Sequence, residues 1–355
     1  MDVERLITDL RARQPAALAR AISLIENGRP GFETLLSRLH ASVGRARRVG
    51  VTGPPGAGKS TLTERLVTAY RARGLRVAVV AVDPTSPFTG GALLGDRIRM
   101  ESVALDPDVF IRSMASRGSL GGLAVATREV CDLIDAAGFD RIIVETVGVG
   151  QSELDVARMA DSTVLVLVPE SGDGIQTLKA GVMEAADVFV VNKADRAGAD
   201  KLRQEIEISL GLRKGQAFRH VPAHHGLDKS RVAGHPGATR ERDATRDRSG
   251  DDGAWAHPVL PTVASKGEGV DQVVEALDRH FAWLEASGEL LTRRRARLRE
   301  RTREVVERAV RRWVWEESGV ERVIDERLDA LAGGRLSPYE VAAEILDGLQ
   351  QGTRL

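Results

Sequence analysis

The sequence predicts a doubly wound α/β domain with a mostly parallel sheet, extended by helices at both ends. Between residues 46 and 287, short valine-rich runs alternate with stretches of helical periodicity. The runs are continuously apolar rather than alternating, which is typical of strands buried on both faces of a parallel sheet. The predicted strands are Arg48–Thr52, Val77–Val82, Val109–Arg112, Ile142–Glu145, Val164–Val168, Val188–Val191 and Val259–Val263.

The segments between these strands repeat apolar residues at three- and four-residue spacing, as on one face of a helix. Helices are predicted over 59–73, 121–137, 152–160, 174–185, 199–211 and 269–286. Cys131 shares this spacing with Thr127 and Ile134, and we expect it to be a small buried hydrophobic residue rather than a reactive thiol.

Residues 1–45 and 288–355 are predicted to be helical extensions. Leu6 and Leu10 begin an apolar face in the first extension. The second contains a long, heavily charged amphipathic stretch, and Ser337–Glu340 has the capping pattern of a helix start. We expect this C-terminal segment to be too short for its own core and to serve as a helical dimerisation arm, which makes the protein a homodimer.

The predicted α/β domain is interrupted at residues 213–257. This segment is rich in Arg, Asp, Gly and His and has few large apolar residues, so we expect a disordered insertion. It holds five of the seven histidines. Their irregular spacing, without a cysteine, favours a solvated loop over a metal-binding tract.

The composition excludes several classes of protein. The 355 residues include 51 basic and 51 acidic side chains, and this zero net charge argues against a nucleic-acid partner. A single cysteine excludes a disulfide scaffold and a multi-cysteine zinc module. The sequence contains no run of 18 apolar residues, and its first ten residues are unlike a signal or transit peptide. We therefore expect a cytoplasmic protein with no membrane partner.

A phosphate-binding sequence lies between the first predicted strand and the next helix. The residues that match G-x-x-x-x-G-K-[ST] are Gly53, Pro54, Pro55, Gly56, Ala57, Gly58, Lys59 and Ser60. Glycines let backbone N–H groups turn toward phosphate oxygens, and the helix N-terminus, continued by Thr61, favours negative charge. Lys59 should reach the β- and γ-phosphates and Ser60 should ligate Mg²⁺. The pattern predicts a P-loop NTPase.

Two further loops indicate that the nucleotide is GTP or GDP. Asn192, Lys193 and Asp195 fit N-K-x-D after a predicted strand, and the Asp195 carboxylate can accept from both N1–H and the amino group of guanine. Adenine presents no such pair of donors. The segment Ala264, Ser265 and Lys266 follows the next strand and suits a loop whose backbone reaches guanine O6.

Carboxylates that could serve Mg²⁺ follow other predicted strands. Glu145 precedes Gly148 where many GTPases carry D-x-x-G, with the carboxylate toward the metal and the glycine N–H on the γ-phosphate. Two interpretations remain open for Asp83 and Asp96. Asp83 caps a turn before a proline and Asp96 starts a helix, or both belong to the metal site. Val149 stands where small GTPases often hold a water-orienting glutamine, so we expect slow intrinsic hydrolysis. Arg97 and Arg99 are candidates for a catalytic arginine.

The chain as a whole resembles the MeaB/ArgK family. The resemblance rests on GVTGPPGAGKSTL, VAVDPTSPFTGGALLGDRIRM, VETVGVGQSE, PESGDGIQTLKAG, VNKAD and TVASKGEGV, and it covers about residues 1–212 and 256–345. The members are GTPase chaperones of adenosylcobalamin-dependent acyl-CoA mutases, above all methylmalonyl-CoA mutase. The resemblance implies that the nucleotide state gates cofactor loading or repair of the mutase, and that mutase binding stimulates hydrolysis.

The resemblance also implies roles for individual residues. Asp83 and Asp96 would belong to the metal site and switch I, and Glu145 would take the Walker-B-like role. With Lys59, the residues Asp96 and Glu145 are therefore the catalytic candidates. The implied switch II covers Gly148–Glu153.

Gln151 lies inside that second switch. The loop Ser171–Lys179 resembles a further mobile element that signals to the mutase, with Gln176 and Lys179 as its polar ends. No histidine here lies in a recognisable cobalamin-ligating motif, so no tightly bound cobalamin is expected.

The sequence also bears on three other functions. A nickel-inserting metallochaperone GTPase would use the histidine tract, but the chain lacks the cysteine motif that such a protein would need. A kinase for an amino-acid transport system fits N-K-x-D poorly. A non-catalytic scaffold would not need intact phosphate and Mg²⁺ residues.

Overall fold

The computed structural model describes residues 2–84, 100–116, 122–146, 152–169, 180–213 and 253–351. The chain divides into two compact units, one that ends at Leu291 and one that begins at Thr292. The second unit covers most of the segment that the sequence predicts to be a C-terminal helical arm, residues 288–355.

A parallel sheet forms the centre of the first unit. Within the described residues it has seven strands in the order β3-β2-β4-β1-β5-β6-β7, and each neighbouring pair is parallel. The strands are β1 Arg47–Thr52, β2 Val77–Pro84, β3 Val109–Ser116, β4 Arg141–Thr146, β5 Ser162–Leu167, β6 Val188–Asn192 and β7 Val259–Thr262. The predicted doubly wound fold is confirmed.

Helices cover both faces of this sheet. They are α1 Val3–Arg11, α2 Pro15–Glu26, α3 Phe32–Leu39, α4 Lys59–Ala72, α5 Glu101–Ala104, α6 Gly122–Ala136, α7 Ser152–Met159, α8 Ala180–Ala185, α9 Ala199–Arg213 and α10 Val270–Ala286. The helix predicted over 174–185 is described only from Ala180 onward. Cys131 is fully buried in α6, as expected.

The central strands of the sheet are buried on both faces because each face packs against a different set of helices. On one face, α1, α2 and α3 join α6 in a single apolar cluster that includes Leu24 and Ile134. On the other face, α4 and α10 pack against the sheet around Leu66 and Val274. The N-terminal helices are therefore part of the core of this unit.

A buried carboxylate fixes the connection between the N-terminal helices and β1. Asp135 on α6 accepts hydrogen bonds from the backbone N–H groups of Gly44, Arg45 and Ala46 and from the guanidinium of Arg48. Because this one side chain satisfies three consecutive backbone donors, the chain enters β1 in a defined position next to β4.

The sheet reverses its direction of winding at β1. This strand lies between β4 and β5, so the loop after β1 opens at a topological switch point, where open α/β sheets bind ligands. Val51 pairs with Glu145 across β1 and β4, which places the end of β4 beside the start of the P-loop.

Part of the predicted insertion packs against α10 and the residue that precedes β6. Residues 214–252 lie outside the described residues, but the indole of Trp255 donates to the carbonyl of Asp187 and its ring lies 4.7 Å from that of His280. The indole of Trp283 in turn donates to the carbonyl of Gly253. The prediction of disorder is therefore wrong for residues 253–257, because an aromatic cluster secures this end of the segment.

The second unit has a small core of its own. Its helices are α11 Glu289–Arg312, which enters this unit at Thr292, α12 Val320–Ala332 and α13 Pro338–Gln350. Val320, Val341 and Ile345 are buried together. The expectation of a coreless arm was wrong because apolar residues of α12 and α13 pack against each other. The predicted capping box of Ser337 and Glu340 is present at the start of α13.

Candidate nucleotide-binding site

The loop after β1 has the backbone that a phosphate-binding loop requires. Gly53, Gly56 and Gly58 adopt φ values of 140°, 75° and 85°, which side-chain-bearing residues rarely adopt. Gly58 is the N-cap of α4, so the first turn of this helix begins at Lys59 and faces the loop. A Cβ atom on Gly53 would lie less than 3.0 Å from the carbonyl oxygen of Val166 on β5.

Lys59 is held over this loop by the loop's own carbonyl groups. Its Nζ donates to the oxygen of Gly53 at 2.7 Å and to that of Pro54 at 3.0 Å, and the residue is 6% exposed. Burial lowers the pKa of Lys59 below its ordinary value of 10.5, while the charges of Glu145 and Glu153 act in the opposite direction. An anionic phosphate group would stabilise the charged form of this lysine.

Glu145 is fully buried near the end of β4, and a threonine of α4 fixes its side chain. Thr63 Oγ1 donates to Glu145 Oε2 at 2.6 Å, and both residues are 0% exposed. Thr63 lies one helical turn after Lys59, so both project from one face of α4. Sequence reasoning did not identify Thr63, although the four-residue spacing from the motif lysine was a usable signal.

The chemistry of these residues fits a magnesium ion. Ser60, in the first turn of α4, and Glu145 provide hard oxygen ligands of the kind that Mg²⁺ prefers. The hydroxyls of Thr52 and Thr146, which end β1 and β4, are buried and have no hydrogen-bond partner within the described part of the chain. Buried polar groups without partners are rare, which favours a polar ligand at this edge of the sheet.

Asn192 connects the phosphate loop to both predicted guanine loops. Its side-chain amide donates to the carbonyl of Ala57 at 2.8 Å. Its Oδ1 accepts from the hydroxyl of Thr262 and from the backbone N–H of Ala264, each at 3.1 Å. One buried side chain therefore holds the ends of β6 and β7 against the loop after β1.

The two predicted guanine loops also meet through their charged residues. Lys266 Nζ lies 3.4 Å from Asp195 Oδ2, and both side chains are about half exposed. Lys193 adopts a φ of 56°, so the N-K-x-D segment turns sharply between Asn192 and Asp195. The structure thus brings together the residues that the sequence assigned to guanine.

Other predicted site residues are not described. Asp96, Gly148, Gln151, Gln176 and Lys179 lie outside the described residues, as do the neighbouring candidates Arg97 and Arg99. The backbone of Asp83 belongs to the end of β2, but its side chain is not described. Within the described ranges, no group of three or more His, Cys, Asp or Glu side chains is placed to hold a metal ion.

Comparison with known proteins identifies the family. The model of the methylmalonyl-CoA mutase-associated GTPase MeaB matches residues 18–319. The chain belongs to the MeaB family of GTPases. A GTPase named ArgK from Escherichia coli is 34% identical over 97% of this chain and 96% of its own length. The mouse protein named methylmalonic aciduria type A homolog, mitochondrial, is 36% identical over 82% of this chain and 66% of its own length.

A solved structure agrees with this family assignment. A protein described as an LAO/AO transport system kinase is 29% identical, with a TM-score of 0.63, over 98% of this chain and 97% of that one. A Pyrococcus horikoshii protein that carries a GTPase name is 41% identical over 97% of this chain and 98% of its own length. The MeaB-family fold and the resemblance stated from the motifs are therefore confirmed. No helix within the described ranges is long and apolar enough to cross a membrane.

Proposed function

We propose that this MeaB-family GTPase hydrolyses GTP with Mg²⁺ and acts as a chaperone of an adenosylcobalamin-dependent acyl-CoA mutase, methylmalonyl-CoA mutase being the first to test. Its nucleotide state would gate cofactor loading and protect or reactivate the mutase. The observation that carries the GTPase part is the linkage of the P-loop to both guanine loops through Asn192. The family match supports the partner.

The described residues divide the work of phosphoryl transfer. Backbone N–H groups of residues 56–60, at the N-terminus of α4, would bind the phosphates, and Lys59 would neutralise charge on the β- and γ-oxygens. Ser60 and Glu145 would hold Mg²⁺, which supplies positive charge to the phosphate oxygens. Thr63 keeps the Glu145 carboxylate in place.

The remaining predictions of site and partner belong to the same proposal. Asp83 and Asp96 would complete the metal and switch I region, and Gly148 would contact the γ-phosphate. Gln151, Gln176 and Lys179 would lie in the segments that signal to the mutase. We propose that the protein is cytoplasmic and binds no cobalamin tightly.

The exposed apolar face of α11 supports a homodimer. Leu298, Val306 and Val310 are each at least half exposed, and Trp313, just after the helix, is nearly so. Large apolar residues that recur along one exposed helix face are typical of an interface. A second copy of the second unit would bury this face.

Nucleotide turnover tests the GTPase proposal. With Mg²⁺, the purified protein should hydrolyse GTP slowly and ATP hardly at all, and Lys59→Ala should abolish turnover. Asp195→Asn should reduce the preference for guanine because the amide no longer accepts two hydrogen bonds. Equal turnover of GTP and ATP would refute the guanine assignment.

Capture of a mutase tests the chaperone proposal. The immobilised protein should retain an adenosylcobalamin-dependent mutase in a manner that depends on GDP or a non-hydrolysable GTP analogue. Addition of that mutase should also accelerate GTP hydrolysis. Unchanged hydrolysis with saturating mutase, together with no retention, would contradict the proposed partner while leaving the GTPase activity intact.

A further inference from the structure

Arg65 of α4 donates hydrogen bonds to the loop of Ala264, Ser265 and Lys266, which the proposed function assigns to guanine O6. Its Nε donates to the carbonyl of Ala264 at 3.1 Å, and its Nη2 donates to the carbonyl of Ser265 at 2.9 Å. The planar guanidinium is suited to two such acceptors at once, because its donors form a rigid fork. This contact joins the helix that follows the P-loop to the loop after β7.

Holding these two carbonyl groups also fixes the direction of two backbone donors. A trans peptide unit is planar, with its C=O and N–H groups pointing in opposite directions. The described chain has no cis peptide bond. Fixing the carbonyls of Ala264 and Ser265 therefore orients the N–H groups of Ser265 and Lys266.

The other contacts of this loop act at its start and within its turn, whereas Arg65 acts on it from a different element. Asn192 Oδ1 accepts from the N–H of Ala264 and so holds the start of the loop. The N–H of Lys266 donates to the carbonyl of Val263, which tightens the turn. The carbonyl of Ala264 accepts from the N–H of Gly267 within the turn, and Arg65 adds a side-chain donor to the same carbonyl from α4.

We propose that Arg65 is a positioning residue for guanine specificity, which rests on the proposed GTPase function. It acts through the backbone of Ala264–Lys266 and does not touch the phosphates. Its loss should therefore weaken binding of nucleotides that carry O6 and leave the contribution of the phosphates unchanged. Arg65 is exposed and its substitution should leave the core of the unit intact.

Three nucleoside diphosphates separate this role from a structural one. GDP and IDP both carry O6, whereas ADP does not, and all three present the same diphosphate to the P-loop. In competition against a fluorescent nucleotide, Arg65→Ala should lower the affinities for GDP and IDP by similar factors. The expected loss is about tenfold, which is the scale of one charged hydrogen bond. Binding of ADP should stay the same.

Two further variants serve as controls. Arg65→Lys keeps the charge but cannot donate to both carbonyl groups from one planar group, so it should also lower the affinities for GDP and IDP. Arg73→Ala removes an arginine from the end of the same helix, where it contacts Asp278, and should not change the ratio of GDP to ADP affinity.

Several results would overturn the inference. One is an unchanged affinity for GDP in Arg65→Ala. Another is an equal loss of affinity for GDP, IDP and ADP in that variant. The third is wild-type affinity for GDP and IDP in Arg65→Lys. If the wild-type protein itself did not prefer GDP to ADP, the proposed GTPase function would fail, which is a distinct outcome from an Arg65 variant that retains the wild-type preference.

Discussion

Replacement of Asn192 by alanine should destabilise the first unit more than the loss of any one of the hydrogen bonds that Asn192 makes. The side chain is 3% exposed and makes three hydrogen bonds, to Ala57, Thr262 and Ala264. At about 1 to 1.5 kcal/mol for each bond, Asn192→Ala should lower the free energy of unfolding by about 3 to 4.5 kcal/mol. The matched variant Thr262→Val removes only one of the three bonds at nearly constant volume and should cost about 1 kcal/mol.

Scanning calorimetry can measure this difference. GDP stabilises the unit that binds it, so the transition that GDP shifts reports on the first unit. The midpoint of that transition should fall by about 6–14 °C in Asn192→Ala and by about 2–3 °C in Thr262→Val, at roughly 2–3 °C for each kcal/mol. The reasoning is refuted if the two variants lose the same stability, because Asn192 would then act through the Thr262 bond alone.

Three further predictions concern Lys59, Thr63 and Ser337. Burial lowers the pKa of Lys59, so GDP binding must take up a proton once the pH exceeds that pKa. The affinity for GDP should therefore fall as the pH rises toward 10.5, and it should fall less in Lys59→Arg. Thr63→Val should raise the Mg²⁺ concentration needed for GTP hydrolysis several-fold, whereas Thr68→Val, which removes an exposed hydroxyl from the same helix, should not. Ser337→Ala should cost about 1 kcal/mol of protection against hydrogen exchange in α13, and its exposed neighbour Tyr339→Ala much less.

The sheet could be predicted because its signal is local. Continuous apolar runs such as Val77–Val82 carry their own signal for a strand, and each predicted run is a strand in the structure. The P-loop and N-K-x-D motifs were also local, and the structure places both at the carboxyl ends of β1 and β6, as parallel strands require.

The features that escaped prediction depend on contacts between distant parts of the chain. Arg65 looks like any exposed arginine of a helix until β7 places the carbonyl of Ala264 beside it. Trp255 lies in a polar segment, and only the tertiary fold shows that it packs against His280. The core of the second unit likewise needs α12 and α13 to meet, which periodicity within one helix cannot reveal.

Gly58 illustrates how the two motifs depend on each other, and a pair of variants can show it. Gly56 and Gly58 have similar positive φ values, 75° and 85°, so alanine should cost each about 1 to 2 kcal/mol of backbone strain. They differ in surroundings: a Cβ atom on Gly56 would have no neighbour within 4 Å, whereas one on Gly58 would lie less than 3.0 Å from Asn192 Nδ2. In the nucleotide-free protein, Gly58→Ala should therefore be the more destabilising variant, because it also displaces the amide of Asn192.

A double-mutant cycle isolates the contact between Gly58 and Asn192. Once Asn192→Ala has removed the amide, Gly58→Ala should lower the free energy of unfolding no more than Gly56→Ala does. The losses caused by Asn192→Ala and Gly58→Ala should therefore not add. Additive losses of unfolding free energy would mean that strain alone accounts for Gly58. A non-additive result would mean that the guanine motif, as well as the phosphate, requires glycine at this position of the P-loop.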